Sequence, residues 1–177
     1  ECYTIDTNDC EKKSYLILGW LLGNNTDLYD VLKGELITGV LLNNSASPLR
    51  HYLETTTLGS NPAALCGIEN SFREIAFVCG IEGADPQSAP QFEKEVLDIL
   101  QGIVENGIDQ DLVDAVLHQL ELSQREITGG SYPYGLQLIL SALPTAIHRG
   151  NVVEALHLDP VLERLRDEVQ DKRFVPN

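Results

Sequence analysis

The chain has 177 residues, a length that suits one domain with a substantial hydrophobic core or at most two small domains. Its 12 basic and 27 acidic residues give a formal net charge of −15, which repels nucleic acid and anionic membranes. No apolar run is long enough to cross a bilayer, and the first residues lack the basic start and apolar core of a signal peptide.

The first third of the chain predicts a strand and two helices. Residues 12–22 (KKSYLILGWLL) are apolar on both faces, as in a central strand that is covered on each side. Asp27 is a suitable N-cap for a helix over 28–42, and Pro48 suits the first turn of a short amphipathic helix. The apolar residues of the longer helix recur at helical spacing: Leu28, Val31, Leu32, Leu36 and Val40.

Two strand-like runs follow a Gly-Ser-Asn-Pro turn at 59–62, and residues 69–71 separate them. In the second run apolar side chains fall on every other residue: Ile75, Phe77, Cys79 and Ile81. This alternation indicates a sheet that packs on a core by one face only. Cys66 and Cys79 lie in these two runs and are predicted to be small core residues.

The next segment predicts two helices. Ser88 is a suitable cap for a helix over 90–105, which the pair Asn106-Gly107 ends. Either Asp109 or Asp111 caps the helix that follows. The first helix places these residues on its core face: Phe92, Val96, Leu97, Leu100, Ile103 and Val104. The second places these: Leu112, Val113, Val116, Leu117 and Leu120.

Two further helices are predicted near the carboxyl end. Residues 129–131 (GGS) break the helical pattern before a helix over about 134–148, which contains Pro144 and should be kinked there. Asp159 and Pro160 open a last helix over 161–171. Its inward residues are predicted to be Leu162, Leu165 and Val169.

The order strand, helix, strand, strand, followed by a helical run, predicts an α+β domain whose helices gather on one face of the sheet. No linker-like stretch and no internal repeat divides the chain, so 1–177 is predicted to be a single domain. Methionine is absent even from position 1, and we therefore expect a segment excised from a larger protein rather than a processed product.

Several segments resemble one family when they are taken together in chain order. Residues 47–82 combine a Ser-Pro-Leu helix start, a Leu-Gly turn and the strand motif Arg-Glu-x-x-Phe running into Gly-x-x-Gly. Residues 14–22, 116–121 and 156–169 add an entry strand ending Leu-Gly-Trp-Leu-Leu, a Leu-His-Gln-Leu-Glu helix and a Leu-Asp-Pro segment. This set is similar to the pitrilysin/insulinase-type zinc metallopeptidases, in their presequence-protease (peptidasome) branch.

That resemblance implies that different domains of the parent enzyme have different roles. Such enzymes have four related α+β domains, paired into two halves that close around a peptide. The first domain carries the zinc ligands, and the second repeats the fold without them. This chain resembles the second, catalytically silent domain, which would form chamber wall and support the zinc-bearing domain. The implied partners are the parent peptidase's other domains and its peptide substrate, and the implied zinc belongs to the parent's first domain.

The histidines give no self-contained zinc site. Catalytic zinc in this family needs H-x-x-E-H on a helix, with both histidines as ligands and the glutamate activating water. His118 is followed four positions later by Leu122, and His51 by Thr55, so each lacks its partner. No phosphate-binding loop occurs, and 129–133 (GGSYP) misses the G-x-S-x-G elbow. We therefore assign no catalytic, cofactor-binding or metal-binding residue to this chain.

The leading hypothesis is thus a non-catalytic structural domain of a peptidase chamber. The alternative is a free-standing assembly or scaffold protein with the same fold, and a small independent hydrolase has little support. A cytoplasmic or organelle-matrix setting, which is reducing or intracellular, is expected. The sequence leaves open whether Cys2 and Cys10 form a disulfide. An excised domain should also self-associate through an apolar helix face or an unpaired strand edge.

Overall fold

The structure, a computed structural model, describes residues 13–125, 133–171 and 173–175. The strands are β1 (Ser14–Asn24), β2 (Asn61–Pro62), β3 (Gly67–Glu69) and β4 (Glu74–Ala84). The helices are α1 (Leu28–Leu42), α2 (Pro48–Thr55), α3 (Ala89–Asn106), α4 (Gln110–Arg125), α5 (Tyr134–Ile147), α6 (Val152–Ala155) and α7 (Leu158–Glu168). The break predicted at 129–131 and the Cys2–Cys10 pair lie outside the described residues.

The sheet is antiparallel and is organised around β4. β1 pairs with β4 along almost its whole length, with Leu18 opposite Cys79 and Trp20 opposite Phe77. The short strands β2 and β3 pair with separate parts of β4. Of the strands in the described ranges, β4 is therefore the central one, and β1 forms an edge of the sheet.

The predicted alternation of β4 is confirmed, and it defines the first hydrophobic cluster. Ile75, Phe77, Cys79 and Ile81 are all buried. The helices α1, α2 and α3 cover this face with the buried residues Leu41, Leu42, Leu49, Leu53, Phe92, Val96 and Ile103. The α+β class, with helices packed on the sheet, is thus confirmed.

A second cluster lies on the other side of α1. It joins α1 to α4 and α7 through the buried residues Leu32, Leu36, Val40, Val113, Val116, Leu117, Leu162, Leu165 and Val169. The helices α1 and α4 approach closely at Gly39, where an added Cβ would lie 2.5 Å from a methyl carbon of Val116. The carboxyl-terminal helices α4 and α7 therefore extend the core by packing on α1.

Three helix boundaries follow from local chemistry, as predicted. α1 begins after Asp27, whose side chain accepts a hydrogen bond from the backbone N–H of Tyr29. α3 ends at Gly107, whose φ of 74° and N–H bond to the Ile103 carbonyl are typical of a glycine helix stop. α4 begins after Asp109, whose carboxylate accepts from the Asp111 N–H at 3.1 Å.

The prediction that the first strand is central and covered on both faces is wrong. β1 lies at the sheet edge, and its outward side chains Tyr15, Ile17 and Leu21 are 61%, 46% and 72% exposed. Apolar residues on both faces of a strand indicate that both faces become buried. They do not indicate that residues of the same chain bury both. The helices within the described part of the chain cover only the inner face.

Three smaller predictions also need correction. Leu97 and Val104 of α3 are exposed, because each lies one position, about 100° of helix rotation, beyond a buried residue. The first of the two predicted strands is split into β2 and β3, and Cys66 lies half-buried between them. α7 begins at Leu158 rather than at 161, although its inward residues Leu162, Leu165 and Val169 are buried as predicted.

Candidate functional site

The histidines lie on separate elements. His51 is exposed on α2 and His118 is exposed on α4, while His157 precedes α7. His148 follows α5, with its Nε2 3.0 Å from the carbonyl oxygen of Ser71. Across 13–125, 133–171 and 173–175, no group of three or more His, Cys, Asp or Glu side chains is placed to hold a metal ion.

A zinc ion of the family's catalytic type does not fit the helix around His118. The second histidine of the motif would stand one turn later, and that position is occupied by Leu122, which is 56% exposed. A leucine offers no ligand atom, so the described residues of this helix provide one imidazole and no partner for it.

The two described cysteines are poor nucleophiles. Cys79 is fully buried in β4, and burial raises the pKa of its thiol to about 12. Burial also raises the pKa of Cys66, whose Sγ donates a hydrogen bond to the Gly80 carbonyl oxygen at 3.4 Å. Because the thiolate is the reactive form, both environments favour inert, structural cysteines.

One polar cluster joins α1 to α7. The Tyr29 hydroxyl donates to the Glu168 carboxylate, and the Arg164 guanidinium lies 3.6 Å from the centre of the Tyr29 ring. Arg164 also donates to Glu168 at 2.8 Å. Burial and the neighbouring Glu168 raise the pKa of Tyr29 to about 12. These contacts connect two helices of the second cluster and need no chemical role to explain the altered pKa.

A similar cluster joins α2 to α3. The Tyr52 hydroxyl donates to Glu95 at 2.8 Å, and its ring stacks on Phe92 with centroids 6.2 Å apart. Burial, together with Glu95, raises the pKa of Tyr52 to about 12. Packing and the hydrogen bond to Glu95 therefore account for the raised pKa of Tyr52 without a chemical role.

A cavity of about 380 Å³ lies between α1, the end of α4 and α5. Its carboxylate is Glu35, whose pKa is raised by burial although the Gln124 amide donates to it at 3.3 Å. On another wall Thr145, which is buried, donates to the Asn25 carbonyl oxygen at 3.4 Å. Among the described lining residues Glu35 is the single carboxylate, so the paired groups that acid–base hydrolysis uses are not assembled there.

Two exposed apolar surfaces stand out. The outer sheet face consists of Tyr15, Ile17 and Leu21 of β1 beside Ala76 and Val78 of β4. The α5 face consists of exposed side chains on one side of that helix: Leu136, Ile139, Leu140, Leu143 and Ile147. Exposed apolar patches of this kind are typical of sites that bind another protein or a ligand.

The architecture is shared with a solved zinc-protease-like protein. The chain superposes on a candidate zinc protease from Bordetella pertussis Tohama I with a TM-score of 0.63, at 15% identity. The match covers 92% of this chain and 84% of that one. At this identity the likeness establishes the fold, an α+β domain of the zinc-protease type.

Sequence comparison gives the family. Residues 2–120 match the family model of the peptidase M16 inactive domain. The chain therefore belongs to the peptidase M16 family, in its inactive domain, and the resemblance to the silent domain of these enzymes is confirmed.

The relatives that carry this domain are much longer proteins. Protein HypA of Clostridium perfringens is 29% identical over 96% of this chain and 17% of its own length. Presequence protease 1 of Arabidopsis thaliana, described as chloroplastic/mitochondrial, is 29% identical over 93% of this chain and 15% of its own length. The mitochondrial presequence protease of Yarrowia lipolytica is 26% identical over 94% and 17%. The chain thus spans less than a fifth of the length of each of these three relatives.

The α5 face was not assigned to any role from sequence, although a signal for it exists. α5 carries no Asp, Glu, Lys, Arg or His, in a chain where 22% of residues are charged. A helix without a charged residue is normally buried all round. No described helix is both long and apolar enough to span a membrane.

Proposed function

We propose that this chain is a non-catalytic structural domain of a zinc-dependent peptidase that degrades peptides inside a closed chamber. It forms chamber wall and supports the zinc-bearing domain. The match of residues 2–120 to the M16 inactive domain is the observation that carries the proposal. The parent's first domain would hold the zinc, and the other domains of the parent are this chain's partners.

The outer sheet face supplies the chamber wall in this proposal. It is apolar at Tyr15, Ile17 and Leu21, and β4 adds the side chains of Glu74 and Glu82 to the same side. Apolar surface with dispersed carboxylates offers contacts to the side chains of an unfolded peptide without selecting one sequence. The inner face and its helices would then hold the wall rigid.

Substrate and compartment follow the relatives. Several matched proteins are named presequence proteases, and their names place them in mitochondria or chloroplasts. By analogy the parent of this chain acts on presequence-like peptides in an organelle matrix or in the cytoplasm.

A cleavage assay tests the proposal. An unfolded fluorogenic peptide would be incubated with the purified chain and, separately, with the full-length parent, each with and without a zinc chelator. The expected result is chelator-sensitive turnover by the parent and none by the chain. Chelator-sensitive turnover by the chain alone would reject the proposal.

The second candidate, a free-standing assembly protein, is favoured by the extent of the α5 face, which would suit a subunit scaffold equally well. The parent reading frame separates the two candidates. An H-x-x-E-H motif encoded upstream supports the peptidase domain, and a start codon close to Glu1 supports the scaffold.

A further inference from the structure

We infer that the α5 face is a docking surface for an uncharged, apolar surface on another domain of the same parent polypeptide. The inference rests on the proposed function for the existence of that parent. It adds to that function the surface that meets a neighbouring domain and the chemistry that surface must have.

α5 is attached to the rest of the chain along one side. Ala142 and Thr145 are buried, and the Thr145 hydroxyl donates to the Asn25 carbonyl oxygen at 3.4 Å. Just beyond the helix, His148 meets the carbonyl oxygen of Ser71 at 3.0 Å. The attached side of α5 is therefore fixed to the β1–α1 connection through Asn25, and the residue after the helix is fixed to the β3–β4 connection through Ser71.

The side of α5 away from Ala142 and Thr145 is an apolar stripe, and Leu140 at its margin also lines the 380 Å³ cavity. The α5 face residues follow the helical spacing i, i+3, i+4, i+7 and i+11, which confines them to about 100° of the helix circumference. Leu136 and Ile147, at its two ends, are 38% and 64% exposed, and Ile139 between them is 63% exposed. A stripe of this width is what a helix normally turns toward a core.

The absence of charge on α5 determines which kind of partner surface can cover the α5 face. α5 has no charged side chain that could pair with one on a partner. A charged partner surface would lose its water against this stripe without gaining an ion pair, which is costly. The surface that covers α5 is accordingly apolar and uncharged.

The same polypeptide is a better source of that surface than a second copy. The chain aligns with only 17% of the length of its HypA relative, so most of such a parent lies outside this chain. A domain linked in the same polypeptide is present at high effective concentration. A second copy would instead bring another net charge of −15 against this one.

Cysteine accessibility in the full-length parent tests the inference. Ile139→Cys and Ile147→Cys would be labelled with a maleimide, and Gln101→Cys, on the exposed side of α3, is the matched control. Labelling of each site is read by peptide mass spectrometry, in the native parent and in urea. We expect both α5 sites to react at least about tenfold more slowly in the native state than in urea, and the control about equally in both.

Each other outcome overturns the inference. Native labelling of the α5 sites as fast as the control means that no domain covers the face. Protection that disappears on dilution means that a second copy covers it, and protection that appears only on adding substrate peptide means that the peptide does. Either isoleucine site suffices if the other variant fails to fold. Zinc content and peptide cleavage of the parent are measured separately, so protection without them would reject the proposed function and leave the docking surface standing.

Discussion

The helices α1 and α5 are both strongly apolar, yet the chain treats them differently. α1 is buried on two sides. Leu41 and Leu42 pack in the first cluster, and Leu32, Leu36 and Val40 pack in the second cluster. α5 is covered on one side, at Ala142 and Thr145, and exposes the other. The apolar composition of a helix therefore indicates how much of its surface is to be buried. It does not indicate whether the residues that bury it lie in the same segment.

The largest expected contrast is between one buried residue of α1 and one exposed residue of α5. Leu36→Ala should lower the free energy of unfolding by about 2–5 kcal/mol, because Leu36 is fully buried in the second cluster. Ile139→Ala should change it by less than about 0.5 kcal/mol in the isolated chain. Urea unfolding of both variants measures the contrast. Similar losses at the two positions would show that α5 is covered within the chain.

A pair of glycine substitutions tests how tightly α1 is packed. Gly39→Ala should destabilise the chain by about 1–3 kcal/mol, since the new Cβ would lie 2.5 Å from a methyl carbon of Val116. The control is Gly102→Ala on α3, where an added Cβ has no neighbour within 4 Å. That variant should gain about 0.5–1 kcal/mol from helix propensity. Thermal unfolding distinguishes the two, and a stabilised Gly39→Ala variant would contradict the close contact of α1 with α4.

The contact between α2 and α3 has a pH signature. Tyr52→Phe removes the hydrogen bond to Glu95 and should cost about 0.5–1.5 kcal/mol near neutral pH. The folded-state pKa of Tyr52 is raised to about 12 from its usual value of 10.0, so its extra stabilisation is fully present below pH 10. It is then lost as the pH rises toward 12. Unfolding measured at rising pH should show the wild-type advantage over Tyr52→Phe shrinking above about pH 10, and an advantage that grows there would contradict the shift.

The smallest effect concerns association of the isolated chain. The uncovered α5 face should cause weak self-association that increases with salt, because salt screens the repulsion between chains of net charge −15. Leu143→Asp should abolish it, whereas Gln101→Asp, on α3, should not. Light scattering over a concentration series measures both. Strictly monomeric wild-type behaviour at high salt would remove the support that self-association gives to an open apolar face.

Local features were predictable from the sequence because local chemistry decides them. The bounds of α1 follow from the Asp27 cap and the apolar spacing, and the alternation of β4 places Ile75 to Ile81 in the core. The exposure of β1 was not predictable, because periodicity identifies which faces are apolar and not what covers them. The same limit applies to the α5 face and to the Glu35 cavity, which depend on how distant elements pack.

The most direct test of a silent domain is the position of zinc in the parent. Anomalous scattering at the zinc absorption edge, measured on crystals of the full-length protein, locates the metal independently of any activity. The expected result is a zinc peak held by side chains outside this 177-residue segment. A peak ligated by histidines or carboxylates of this segment would contradict it.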